Sequence, residues 1–178
     1  VATGGDLRSI NPAGLVPVLE LADASRLTEG PVICQYLADL AGASELMPPA
    51  GTRERYRVMA WQNYITSELH KSYSPLFARR IDAPARAILA ALLRDKLVHL
   101  DTRLAGRTFL AGDVFSAADA YLFTVLRWSP VVGLPIDDLV HLAEHSARVL
   151  ARSAVREALA AEGLPMTDPR PHGAGAGR

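Results

Sequence analysis

The chain has one cysteine, no excess of charge of either sign and no long apolar run, and each shortage removes a class of protein. Cys34 stands alone, so no internal disulfide can form and the disulfide-stapled secreted folds are excluded. No charged n-region with an apolar h-region opens the chain, which together with the lone thiol points to a reducing, cytoplasmic setting. Lys+Arg and Asp+Glu number 19 each, leaving no net field to favour nucleic acid or an anionic membrane surface. No apolar stretch approaches the length that a bilayer requires. Neither a P-loop nor a G-x-G-x-x-G fingerprint occurs. The string His141 to His145, H-L-A-E-H, matches a zinc-protease spacing, but a hydrolytic site needs a third ligand and an open pocket. These histidines are expected as solvated positions on an amphipathic helix, with no metal bound.

What is there suits a packed core: 178 residues, 49% of them hydrophobic and 21% charged, enough for one large domain or two small ones. The first residue is Val1, and the chain is expected to be processed or incomplete at that end. Residues 1 to 14 are loop-like, with one helical turn around Leu7 to Ile10. Val16 to Leu21 reads as a strand, Asp23-Ala24-Ser25 as a turn and Arg26-Leu27 as its return. From Thr28, a good N-cap, the period becomes helical through Val32, Ile33, Tyr36, Leu37 and Leu40. The stretch from Gly42 to Arg55 holds two prolines and two glycines and reads as a linker. Beyond it lie five helices: Thr52 to about Ser74 with Val58, Trp61, Ile65 and Leu69; Pro84 to about Ala105 with Leu89, Leu93, Leu97, Leu100 and Leu104; one after Ser116; Ile136 to Ala151; and Ala154 to Ala161. The tail is rich in proline and glycine and is expected to be disordered.

Pro17 interrupts the first strand, where a residue without a backbone N–H wastes a place in a ladder. An edge strand with an ordinary trans-proline would explain it, and so would a special backbone site. Glu29-Gly30 opens a helix, whose first N–H groups lack internal partners and whose dipole is positive there. That position suits a bound carboxylate, or simply a glutamate favourably placed in a first turn. At about 100° per residue, Ser67 and His70 fall at about 40° and about 340° from Asn63, so the three share a polar stripe. His70 can serve a ligand there or cap a packed helix end before Pro75. Ser116 and Asp119 have the spacing of a capping box, a structural role worth on the order of 1 kcal/mol.

A hairpin strand with Val-Pro, then "LTEG" opening a helix, then "WQNYITSELHKSYSPLF" and "FSAADAYLFTVLRW" in that order resembles the glutathione S-transferases, and within them the bacterial beta class. The likeness runs from about Asn11 to Leu164. It implies an α+β, mostly α fold: a remnant of a thioredoxin-like, glutathione-binding domain over 1–43, a linker at 44–53, an all-helical domain over 54–164 and a disordered tail at 165–178. It also implies that an upstream strand, helix and strand, with the residue that sits beside the glutathione sulfur, are missing. Cys34, inside the later helix among Val32, Ile33 and Leu37, is no substitute.

The resemblance further implies site residues. Val16 would pair its backbone with the tripeptide beside a cis-Pro17. Glu29 and the N–H of Gly30 would take the γ-glutamyl end, without the hydroxyl that a serine supplies in many relatives. Asn63, Ser67 and Glu68 would contact glutathione, with Asn63 and Glu68 reaching the partner's ligand across a homodimer. His70, as the catalytic residue, and Lys71 would lie near the sulfur and stabilise its thiolate. The implied function is conjugation of the glutathione thiolate to small electrophiles, with glutathione as co-substrate and no metal. Alternatives are a non-catalytic binding or assembly module, or a glutathione-dependent reductase, isomerase or dehalogenase. Tyr64, Tyr73 and Phe77 are expected either to line the second-substrate pocket or to sit in the core.

Overall fold

The computed structural model describes residues 5–166. The tail expected at 165–178 lies, from residue 167 on, outside the described residues. After a single helical turn, α1 (Leu7–Ile10), comes a two-stranded antiparallel hairpin, β1 (Val18–Glu20) and β2 (Arg26–Thr28), in the register Val18↔Thr28, Leu19↔Leu27, Glu20↔Arg26. The strand is shorter than the expected Val16 to Leu21: it starts after Pro17, so the proline precedes the ladder and wastes no place in it. The turn is closed by Asp23, whose Oδ1 accepts the backbone N–H of Ser25 at 3.0 Å. Arg26 pairs with Glu20 and donates to the Ile10 carbonyl at 2.8 Å, tying α1 to the hairpin.

Helix α2 (Gly30–Leu40) is capped by Glu29, which makes no side-chain cap bond. Thr28, expected as that cap, is spent as the last ladder residue of β2. Of the five apolar positions read as the buried face, only Ile33 is buried, while Val32, Tyr36, Leu37 and Leu40 stay exposed. A two-stranded sheet is too narrow to cover a helical face about 10 Å across.

The expected helix from Thr52 to Ser74 is composite. Helix α3 (Arg53–Tyr64) is N-capped by Thr52, then a π-helical stretch runs over Ile65–His70, followed by α4 (Lys71–Tyr73) and a 3₁₀ turn (Ser74–Phe77). Four hydroxyls bond back to the carbonyl four residues earlier: Thr66 to Gln62, Ser67 to Asn63, Ser72 to Glu68 and Ser74 to His70. Such back-bonding bends helices. Helix α5 (Ala83–Leu104), capped by Asp82, buries Leu93, Leu97, Leu100 and Leu104 as its leucine pattern requires. Helix α6 (Ala117–Leu126) is central, and α7 (Ser129–Val132), α8 (Val140–Leu150) and α9 (Ser153–Ala161) close the bundle. The core joins Ile65, Leu69, Leu93, Leu97, Leu122, Leu126 and Leu142. The helix expected from Ile136 begins only at Val140, after a loop and turn over residues 134–139. Among the described residues no helix is long and apolar enough to cross a membrane.

Ser116 and Asp119 do form the capping box, but the carboxylate does more than cap. Its Oδ2 accepts the Ser116 N–H at 2.9 Å and hydroxyl at 2.7 Å, and its Oδ1 accepts the Leu110 N–H at 2.8 Å and faces Nε2 of His145 at 2.9 Å. Both Asp119 and His145 are wholly buried. His145 is therefore no solvated position, as the H-L-A-E-H pattern suggested: α8 turns it into the core. Truncating Asp119 strands four buried polar groups, so Asp119→Ala is expected to cost roughly 3–5 kcal/mol, well above a simple cap, with urea denaturation as the measurement.

Candidate active site

A cleft of about 540 Å³ opens between the hairpin with the start of α2 on one side and α3, its π-helical extension and α6 on the other. Of the residues singled out from the sequence, Val16, Pro17, Glu29, Gly30, His70 and Lys71 line it. Asn63 and Ser67 do not: both are exposed, outside the cleft. Glu68 turns toward α5, where Lys96 pairs with it at 2.9 Å and holds its carboxyl below the usual range. The shared stripe of Asn63, Ser67 and His70 assumed a regular α-helix. The line that faces the cleft is instead Gln62, Thr66, His70 and Ser74, four residues apart. On an α-helix this spacing drifts by about 40° per step, and the wider π turn takes the drift out.

On the hairpin wall, the Val16–Pro17 peptide bond is cis. Val16 is 75% exposed, and its backbone N–H and C=O make no hydrogen bond among the described residues. Glu29 sits at φ 68°, ψ 108°, a left-handed backbone that costs a residue with a Cβ on the order of 1–3 kcal/mol and is found mostly where function requires it. The Glu29 carbonyl accepts the N–H groups of Val32 and Ile33 and Pro31 has none, so Gly30, which lines the cleft, carries the one N–H of this helix start left unbonded among the described residues. Gly30 has room for a side chain: an added Cβ would meet only Pro17, at 3.6 Å, an ordinary contact.

On the helical wall, His70 Nδ1 lies 2.8 Å from the Tyr121 hydroxyl, and the Trp128 ring stands edge-to-face against the imidazole at 4.7 Å. Burial, and then the neighbouring Lys71 charge, push the His70 pKa down. Burial also raises Tyr121, with the Thr66 hydroxyl opposing and Glu29 and Cys34 adding smaller repulsions across the cleft. Cys34 lines the cleft as well, which its place among apolar neighbours did not suggest. The residue as a whole is exposed, yet burial around its sulfur pushes the thiol up, so it is a neutral thiol and not an activated nucleophile.

Gln62, almost fully buried, lines the floor. Its Oε1 accepts from Gln35, whose own Oε1 accepts from Arg55, and Arg55 is clamped on Asp39. An arginine only donates, so this chain has one polarity, and it leaves Nε2 of Gln62 without a partner among the described residues. Tyr73 is core, bonded to Ser129, its phenol pushed up to about 12. Phe77 packs on Trp128 and Tyr64 on Trp61, and none of Tyr64, Tyr73 and Phe77 lines the cleft. The aromatic lining comes instead from Tyr121 and Trp128. Their signal was present: Ala117, Ala120, Tyr121 and Thr124 recur at three- and four-residue steps and mark one face of α6, and Trp128 continues that spacing into the turn after it. Among the described residues no group of three metal-ligating side chains gathers.

Two family models match the chain: "Glutathione S-transferase, N-terminal domain" over residues 2–40 and "Glutathione S-transferase, C-terminal domain" over residues 81–161. A relative from Escherichia coli O157:H7, "Glutathione S-transferase GstA", is 42% identical over 161 residues, 90% of this chain and 80% of that protein. The solved "Ternary complex of BphK, a bacterial GST" superposes with a TM-score of 0.88 at 43% identity, covering 92% of this chain and 82% of the other. A sphingomonad glutathione S-transferase complexed with glutathione does so with a TM-score of 0.87 at 40% identity and the same coverage.

Folding lowers the His70 pKa, so protonating this ring opposes folding: its contribution is complete above the ordinary value of 6.5 and is lost as pH falls through the lowered value. The His70 ring protons are expected to titrate with a midpoint below 6.5 by NMR. Lys71→Met should bring the midpoint only partly back, because burial is the larger cause.

Proposed function

The chain belongs to the glutathione S-transferase family, and from that premise we propose that its cleft binds glutathione and joins the tripeptide's thiolate to electrophilic small molecules. The observation that carries the reading is the free backbone edge at Val16, beside a cis-proline and facing the start of α2 across the same cleft as His70 and Lys71. A peptide ligand is held well by an unpaired backbone edge, as an added strand would be. Glu29 suits the ligand's α-ammonium, and the Gly30 N–H at the helix start suits its carboxylate.

The sulfur then lies toward His70 and Lys71. The Lys71 ammonium lowers a thiol pKa by charge, and the imidazole by hydrogen bonding. The thiol proton leaves, the thiolate attacks the electrophilic carbon, an S–C bond forms and the leaving group departs with its electron pair. Tyr121 and Trp128 offer apolar surface for the electrophile. The division into a glutathione-binding unit at 1–43, a linker at 44–53 and a helical unit at 54–164 belongs to this reading, and so does a cytoplasmic setting. In a homodimer, Asn63 and Glu68 would lie toward the partner's ligand, a role their positions outside this chain's own cleft allow.

Calorimetry and a chromogenic-electrophile assay on the full chain test the proposal. Glutathione uptake with turnover is expected. His70→Ala should lower kcat by about ten- to a hundredfold while glutathione affinity changes less than about threefold. Uptake without turnover would select a binding module, and no heat with millimolar glutathione would sink the reading. Gly30→Ser, for which the backbone has room, is expected to tighten glutathione binding by up to about tenfold, the worth of one added hydrogen bond.

A further inference from the structure

His70 is held at one ring nitrogen and open at the other. Nδ1 lies 2.8 Å from the Tyr121 hydroxyl. Nε2 has no partner among the described residues and is not a buried atom, so it meets the cleft that the residue lines. Resting on the transferase reading above, we propose that Tyr121 is a positioning residue: its hydroxyl donates to Nδ1, fixing the Nε2–H tautomer of His70 and aiming that N–H at the glutathione sulfur.

Three observations converge on this assignment. A phenol is a better donor than acceptor, and the bare nitrogen of a neutral imidazole is a good acceptor. The ring is neutral near pH 7, since burial and Lys71 both disfavour its cation, and the phenol stays protonated for the same reason of burial. Tyr121 lies on α6 and Trp128 in the turn just past its end, so a helix and the turn that follows it hold the imidazole together, one by the hydrogen bond and the other by the edge-to-face ring contact. Turning the imidazole over would put a C–H against the Tyr121 hydroxyl and cost that bond. The titratable groups around the pair are Lys71 next to His70 on the same helical stretch, and Glu29 and Cys34 on the α2 side, which act on Tyr121.

The chemical consequence differs from that of a histidine base. A ring that carries its proton on Nε2 cannot take the thiol proton, which therefore passes to water. The N–H then donates to the thiolate that remains, and Lys71 supplies the positive charge that the neutral ring lacks. No oxidant or further reactant is needed.

Long-range nitrogen–proton NMR of the unaltered full chain tests the tautomer directly: Nδ1 is expected to show the pyridine type and Nε2 the pyrrole type. In Tyr121→Phe, which keeps the ring and removes the hydroxyl, the two tautomers should mix. The His70 midpoint should move up, because the lost bond favoured the neutral ring. With glutathione and an electrophile, kcat/KM should fall about tenfold, with the acid limb of its pH profile displaced upward and KM for glutathione changed less than about twofold. A pyrrole-type Nδ1 in the unaltered protein overturns the proposal, and so does a variant with the same tautomer and the same pH profile. The NMR arm needs no turnover, so it decides the role of Tyr121 even where the transferase reading fails.

Discussion

The buried carboxylate of Asp119 is the interaction on which the rest of the helical unit depends. It closes the cap of α6, takes the Leu110 N–H of the loop that follows α5, and meets His145 on α8. Helix α6 carries Tyr121 and leads into the turn that holds Trp128, so it must be fixed in both rotation and height. A carboxylate with both oxygens engaged on three separate elements does this better than apolar contact, because hydrogen bonds are directional and the cost of stranding one in a dry core is large. Phe109 packs edge-on against the same His145 ring, so the polar knot is sealed by an aromatic and kept from water.

From that fixed helix the electrostatics of the cleft follow. The helical wall presents a neutral imidazole and an exposed ammonium, Lys71, and the opposite wall presents the start of α2 with the Glu29 carboxylate beside it. Positive potential therefore comes from a point charge and a helix end, and the acidic group sits where a ligand's own ammonium can meet it. This division matters because an anionic sulfur next to a carboxylate would gain protons, whereas one next to Lys71 loses them. The strain in the Glu29 backbone has a use here: a regular N-cap conformation would put the carboxylate back over its own N–H groups, in competition with any ligand carboxylate.

Much of this was legible in the residues. The leucine spacing of α5 gave its buried face, the hairpin and its turn lay where glycine, proline and Asx chemistry placed them, and the capping box stood out at Ser116 and Asp119. The losses have physical causes. Thr28 failed as a cap because a ladder partner, Val18, had claimed it. The polar stripe of Asn63, Ser67 and His70 failed because a run of back-bonding hydroxyls permits a π-helical stretch that angular projection does not foresee. His145 was misjudged because a pattern on one helix cannot reveal a buried carboxylate on another. Tyr121 and Trp128 follow the spacing of one face of α6 and the turn after it, but an apolar face says nothing of whether it meets core or cleft until the opposite wall is in place.

The two walls are held together by something other than apolar burial. Between α2 and α3 runs a polar line, Asp39 to Arg55 to Gln35 to Gln62, in which Arg55 is 10% exposed at its side chain and bidentate on Asp39 at 2.7 and 2.8 Å. Arg55 also donates to the Pro48 carbonyl, so the linker is fastened by the same guanidinium. Apolar contact alone would let α2 slide along α3, since one methyl packs about as well as another. A forked arginine does not slide, because its donors match the carboxylate in one orientation. The position of α2 sets where Glu29 and Gly30 stand, and with them the hairpin wall. The width of the cleft is thus fixed by a charge pair at the far end of α2 and by a carboxylate knot at the start of α6, with the direction of the amide line leaving one donor, Nε2 of Gln62, without a partner among the described residues.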